Sequence, residues 1–108
     1  MESYIICLVT LDTYENAVKI ASILVEEKIA ACANIVSPIR SIYRWQGKIC
    51  DENEILMMMK TRHSLFERLK NRVKELHPYD VPEIISVKIS EGLSEYLRWI
   101  NDSTEVSS

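Results

Sequence analysis

Residues 31–60 read as two unusually long strands joined at Gln46-Gly47, and no single layer of helices in so short a chain can hide them. On the first arm Ser41, Tyr43 and Trp45 alternate with Arg40, Ile42 and Arg44, the period-two pattern of a strand with two distinct faces. The return arm ends in Ile55-Leu56-Met57-Met58-Met59, apolar on both faces, as in a strand covered on both sides. Arms of about 12 to 14 residues at roughly 3.4 Å per residue reach on the order of 40 to 48 Å. A helix of about 14 residues spans only about 21 Å. The far half of the hairpin, with Tyr43, Trp45 and Ile49, therefore needs another cover, and a second copy of the same chain is the expected one.

Pro38 falls inside the first arm. Proline cannot donate to a ladder, so this arm is expected to be an edge strand or to carry a bulge there. A long edge bearing aromatic residues invites pairing with another chain. The turn offers one glycine for a positive φ, although Gln is not the usual partner in a two-residue loop.

Around the hairpin the pattern is regular. Residues 4–10 form a first strand, with Ile5, Cys7 and Val9 on one face and Ile6 and Leu8 on the other. Asp12 and Glu15 have the form of a capping box, opening a helix to about Lys28 that buries Ala17, Ala21, Leu24 and Val25. A second helix, capped by Thr61 or Ser64, carries the stripe Leu65, Leu69, Val73 and Leu76 with Phe66 beside it. Arg62, Arg68, Lys70, Arg72 and Lys74 make up a solvated face, partly balanced by Glu67 and Glu75. Pro78 stops this helix. Residues 84–89 make a fourth strand with Ile85, Val87 and Ile89 on one face, and a short helix over 94–100 returns Leu97, Trp99 and Ile100 to the body. Residues 1–101 are expected to be one domain and 102–108 a polar, frayed tail.

The order strand, helix, strand, strand, helix, strand is that of an α+β, ferredoxin-like split βαβ fold, here with an extended β-hairpin and a short C-terminal helix. Right-handed crossovers place both long helices on one face of an antiparallel sheet. The other face is left bare although strands one and three are apolar on both sides, which points again to self-association.

Composition narrows the function classes. A net charge of −3 is the wrong sign for a nucleic-acid binder. The apolar start over residues 4–11 is too short to span a bilayer or serve as a signal peptide, so the expected compartment is the cytoplasm. Three scattered cysteines, Cys7, Cys32 and Cys50, cannot all pair within one chain and read as reduced thiols. No sequence spacing defines a metal site by itself.

Several stretches then carry a resemblance: Ala30-Ala31-Cys32-Ala33-Asn34-Ile35, Ser41-Ile42-Tyr43-Arg44-Trp45-Gln46-Gly47-Lys48, Lys60-Thr61-Arg62, and His77-Pro78-Tyr79-Asp80-Val81-Pro82-Glu83-Ile84-Ile85. The chain resembles the CutA family of divalent-cation tolerance proteins over nearly its whole length. The resemblance implies a ferredoxin-like subunit in a tight homotrimer whose hairpins extend the sheets of neighbouring subunits, a link to tolerance of copper and other divalent cations, and no established catalytic reaction.

The candidate metal ligands are His77 and Cys32. Imidazole suits Cu(II) or zinc and a thiolate suits Cu(I), while a histidine at a helix end also serves simply to meet the last carbonyls and a cysteine in a strand also serves simply as a core residue. Asp80 and Glu83 share the stiff proline-bracketed loop with His77. Met57, Met58 and Met59 alternate between faces and read as core. Trp45, Lys60, Tyr79 and Glu83 fall on family-like positions and are expected to line a cleft between subunits, where one cation, one carboxylate and aromatic walls suit a small ligand. That cleft supports an alternative, a signalling trimer like the nitrogen-regulatory PII proteins, although no glycine-rich phosphate loop or other organic-cofactor motif is present. A structural trimer that docks a partner protein is the third possibility. No nucleophile or substrate can be identified, so no catalytic residue is assigned.

Overall fold

In chain order the elements are β1 (Tyr4–Leu11), α1 (Tyr14–Glu26), β2 (Cys32–Trp45), β3 (Lys48–Arg62), a 3-10 turn (His63–Leu65), α2 (Phe66–Leu76), β4 (Ile84–Lys88) and α3 (Ser94–Ser103). The structure is a computed structural model and describes residues 2–105. The strands form one sheet in the order β2-β3-β1-β4, every neighbouring pair antiparallel. This is the expected ferredoxin-like α+β arrangement.

Strand alternation sorts the two faces. Ile5, Cys7, Val9 and Leu11 of β1 stand level with Thr61, Met59, Met57 and Ile55 of β3, and all are buried beneath α1 and α2. Each large side chain removed from water there contributes about 1.5–3 kcal/mol before the ordering cost is counted. Thr61 lies in this layer, its hydroxyl donating 2.6 Å to the Ile29 carbonyl. It is therefore a strand residue and not a helix cap. Neither proposed residue caps the second helix: α2 begins at Phe66 after the 3-10 turn, with Leu65 at the N-cap and no side-chain cap bond.

Two further helix expectations need correction. Thr13 caps α1, accepting the Asn16 N–H at 3.1 Å, while Asp12 accepts from the Thr13 N–H and the Asn16 side chain. The helix stops at Glu26 because Lys28 takes a left-handed φ of 61°, the usual way a helix end is closed. Val25 consequently faces outward and is exposed.

The hairpin arms are 14 and 15 residues long, and the longest dimension of the molecule is 46 Å. Gln46 and Gly47 both have positive φ, 49° and 78°, as a two-residue turn between twisted strands requires. β2 is an edge strand and also bulged: Val36 faces Leu56 but Ile39 faces Glu54, so two residues, Ser37 and Pro38, oppose the single Ile55. Because side chains alternate with period two, this extra residue moves every later side chain of β2 to the other face. Ser41, Tyr43 and Trp45 thereby stand level with Glu52, Cys50 and Lys48, on the face turned away from α1 and α2.

That second face is only partly bare. α3 covers its far end: Ile100 is fully buried, Lys60 Nζ lies 5.6 Å from the centre of the Tyr96 ring, and Arg62 donates to Thr104 Oγ1 at 2.9 Å and to the Thr104 carbonyl at 2.7 Å. The helix thus runs to Ser103 and is pinned at the buried Thr104, beyond the residue at which the polar tail was expected to begin. Residues 106–108 of that tail lie outside the described residues. Trp99 remains exposed, as do Ile85 and Val87 of β4. These two stand level with Leu8 and Ile6, so the apolar stripe of β4 lies on the second face and not against the helices.

Candidate functional site

The site forms where the hairpin leaves the body. β1 ends at Leu11 opposite Ile55, so from Glu54 outward β3 has only β2 beside it, and the loop from α2 to β4 fills the vacated edge. Its first residue fastens it. The His77 N–H bonds to the Val73 carbonyl at 2.8 Å, and Pro78 prevents the helix from continuing. His77 Nδ1 accepts the Tyr79 N–H at 3.1 Å, which places the ring hydrogen on Nε2, 2.7 Å from the Thr10 carbonyl. Both ring nitrogens are thus engaged inside the chain, and a metal ion at His77 would have to displace one of these partners.

Tyr79, held against the His77 ring with centroids 4.7 Å apart, reaches across to donate its hydroxyl to Glu54 Oε2 at 3.0 Å. Tyr43 on the hairpin donates to Glu52 Oε1. Burial and the Glu54 carboxylate hold the Tyr79 hydroxyl well above the usual tyrosine range, and the hydrogen bond to Glu52 does the same for Tyr43. Two tyrosines thus remain protonated donors and orient two carboxylates that share one face of β3.

Between these groups lies a cavity of about 600 Å³, within the roughly 300–1,000 Å³ typical of small-molecule sites. Its aromatic walls are Tyr43, Trp45 and Tyr79, and its carboxylates are Asp12, Glu52, Glu54, Asp80 and Glu83. Thr10 and Val81 complete it, and no Lys, Arg or His lines it.

Of the four residues expected to share a ligand cleft, Trp45, Tyr79 and Glu83 come together here. Lys60 does not join them in this chain. It lies six residues along β3 from Glu54, about 20 Å away at strand rise, against Tyr96. Cys32 is level with Lys60, which in turn is level with Ile6 of β1, whereas His77 bonds to Thr10. Four residues of β1, roughly 13 Å, therefore separate the rows holding the two candidate metal ligands, and within one chain they do not meet. The half-buried Cys32 donates weakly to Asn34 Oδ1 at 3.5 Å. Among the described residues no group of three or more His, Cys, Asp and Glu side chains is gathered as a metal shell. Cys7 is buried, its thiol pushed up to about 12 by loss of water, as befits a core residue.

Glu52 and Glu54 were not among the candidates from sequence. The signal was present in their i, i+2 spacing and in the position of Glu54 directly beside a wholly apolar run. What was missing was the one-residue register change that the bulge imposes, without which Tyr43 and Trp45 would face away from them.

Comparison with known proteins agrees with this architecture. The family described as CutA1 divalent ion tolerance protein matches residues 5–103. A divalent-cation tolerance protein CutA from Thermus thermophilus is 50% identical over 99 residues, covering 92% of this chain and 96% of that protein. The human protein CutA is 42% identical over 97 residues, 90% of this chain but 54% of its own greater length. Among solved structures, CutA1 from Oryza sativa superposes with a TM-score of 0.93 at 42% identity, covering 97% of this chain and 96% of that one. A family match across almost the whole chain, with relatives this similar in sequence and in fold, establishes that the chain belongs to the CutA1 divalent ion tolerance family.

Proposed function

We propose that the chain works as a homotrimer in the cytoplasm, binds copper or another divalent cation weakly, and supports tolerance of such ions without a catalytic step. The observation that carries the assembly is the hairpin. Ile42 and Ile49 are 64% and 63% exposed, on the face that α1 and α2 cover only nearer the body, and Ile85 and Val87 are uncovered on the opposite face. Apolar surface distributed this way calls for neighbouring copies. The three free thiols suit a reducing compartment.

Cys32 and His77 remain the candidate ligands, and their separation within one chain means that a shared site needs them from different subunits. Light scattering at micromolar concentration is expected to return three times the 12.5 kDa chain mass; a folded protein at the single-chain mass would overturn the assembly. Titration of Cu(I) and Cu(II) into the reduced protein, repeated with His77→Ala and Cys32→Ser, tests the ligands. Identical binding by all three proteins would remove both residues from the site.

The cavity at Trp45, Tyr79 and Glu83 supports a second reading, a small-ligand signalling trimer. A thermal-shift screen of nucleotides and small acids is its check, since a ligand at 100 times its dissociation constant adds about 2.7 kcal/mol. No shift across the screen would favour metal binding or a structural trimer that docks a partner protein.

A further inference from the structure

We infer that Arg62 is a positioning residue for assembly: by fastening the last turn of α3 to the sheet, it aims the exposed stripe Leu93, Tyr96 and Trp99 at a second copy of the chain. The role rests on the assembly proposed above, and it falls to a residue whose own bonds lie inside one chain.

α3 is held by its end. Ile100 and Thr104 are fully buried, whereas Ser94, Glu95 and Tyr96 are exposed and Leu97 is only half-buried. The start of the helix has no side-chain cap, Leu93 standing at that position. Its other end is fastened by charged, directional bonds. Arg62 Nε donates to Thr104 Oγ1 at 2.9 Å and Nη2 to the Thr104 carbonyl at 2.7 Å. The threonine hydroxyl has one hydrogen of its own, which goes to the Ile100 carbonyl at 2.8 Å, one turn back. A guanidinium therefore closes a helix end that would leave carbonyls open, at the pole where the dipole favours a cation. Arg62 is braced in turn: Nη1 lies 3.6 Å from Glu2 Oε2, to which the Ser64 hydroxyl donates at 3.2 Å. Lys60-Thr61-Arg62 thus divides its work, with Lys60 under Tyr96, Thr61 on the Ile29 carbonyl and Arg62 on the end of α3.

A helix fastened at one end points its other end wherever the fastening directs it. Along the free half Leu93 is 68% exposed, Tyr96 40% and Trp99 44%. Their spacing of three puts them on one side of the segment, and the Tyr96 and Trp99 ring centroids are 5.5 Å apart. The Tyr96 ring lies over Lys60, Lys60 is level with Ile6, and Ile6 is level with Val87. Only two strand spacings, roughly 10 Å, separate Lys60 from the exposed Val87, with the exposed Ile85 next to it on the same face. The aromatic stripe therefore adjoins the apolar surface that the proposed assembly covers, and a second copy of the chain is the occupant that covers both.

Light scattering of the full chain across a dilution series, at one fixed urea concentration below unfolding, tests this together with amide hydrogen exchange. Arg62→Gln is expected to raise the midpoint of dissociation about tenfold, as loss of hydrogen bonds from a charged donor implies. It should speed exchange of the α3 amides by a similar factor and leave those of β1 and α1 unchanged. Thr104→Val keeps the shape without the hydroxyl and is expected to move both readings the same way by less, while Thr104→Ser keeps the hydroxyl and is expected to restore the parent values. Trp99→Ala should weaken assembly while the last turn of α3 stays protected. Faster α3 exchange with parent-like assembly in Arg62→Gln would confine the guanidinium to local helix closure and overturn the proposal. Equal loss of protection in β1 and α1 would make Arg62 an ordinary stability contact, and parent-like assembly in Trp99→Ala would remove the stripe from the interface; either result overturns it too. The mass of the parent decides the trimer separately: a single-chain parent overturns the assembly itself, whereas an assembled parent with unmoved variants overturns only the role of Arg62.

Discussion

The two faces of the sheet are made by the same strands and have opposite characters. On the face under α1 and α2, alternate residues of β1 and β3 interdigitate with two helices, and the polar Thr61 has its hydrogen bond inside the chain. On the other face α3 packs on the sheet at one end, while carboxylates and aromatic rings gather at the other, where Tyr79 of the α2–β4 loop meets Glu54. The difference shows where each property of the molecule resides. Its folding stability comes from the first face, and its capacity for recognition from the second, which the chain leaves unfinished.

Met57 and Met58 are adjacent on β3 and point to opposite faces, so they offer the most direct test. Met57→Ala empties a fully buried position and is expected to cost about 2–5 kcal/mol in urea unfolding. Met58→Ala, from a half-buried position, is expected to cost no more than about 1 kcal/mol in the single chain. Its larger effect should be on how the unfolding midpoint depends on protein concentration, because a partner stabilises by mass action. Equal losses would mean that the second face is as closed as the first. A smaller effect separates two threonines in the same way. Thr61→Val keeps shape but leaves the Ile29 carbonyl without its donor, expected to cost about 1–3 kcal/mol. Thr10→Val, on the second face with no side-chain hydrogen bond among the described residues, is expected to stay within about 0.5 kcal/mol. A Thr61→Val protein as stable as the parent would show that water replaces the lost bond, and the first face would not be dry.

The first face was legible because its signals are periodic. The alternation in Ile5, Cys7 and Val9 and the stripe at Leu69 and Val73 needed no tertiary knowledge, and they gave the fold and the helix-covered layer. Boundaries were less legible where a hydrogen bond decided them, as at Thr13 and Lys28. The second face was only half legible. The residues of the His77 to Glu83 loop and Trp45 were singled out, but Glu54 and Glu52 look like any solvated strand carboxylates until the bulge brings Tyr43 and Trp45 beside them. Pro38 announced an irregularity; whether it changed register by one residue is a property of the pairing with β3 and not of either strand alone. Lys60 was expected in a cleft between subunits; within one chain it stands six residues along the 15-residue β3 from Glu54, so it meets that cleft only from a neighbouring copy.

The smallest expected effect lies on the helical side, and it asks whether charge adds to a face that packing already closes. Arg72 of α2 holds Glu27, just past α1, through two hydrogen bonds of 3.0 and 2.7 Å, and also reaches Glu75 at 3.3 Å. The guanidinium keeps the Glu27 carboxyl below the usual carboxylate range, chiefly through the hydrogen bond. A carboxylate whose folded pKa is lowered contributes stability above its unfolded value and loses it as pH falls through the folded one. The melting temperature of Arg72→Gln should therefore lie slightly below that of the parent at pH 7, by an amount that shrinks with added salt. The gap should close as acidification protonates Glu27, although the parent itself becomes less stable there. If the gap persists unchanged at a pH where Glu27 is protonated, the Arg72 stem is packing against the helices, and its charge contributes nothing to that side of the sheet.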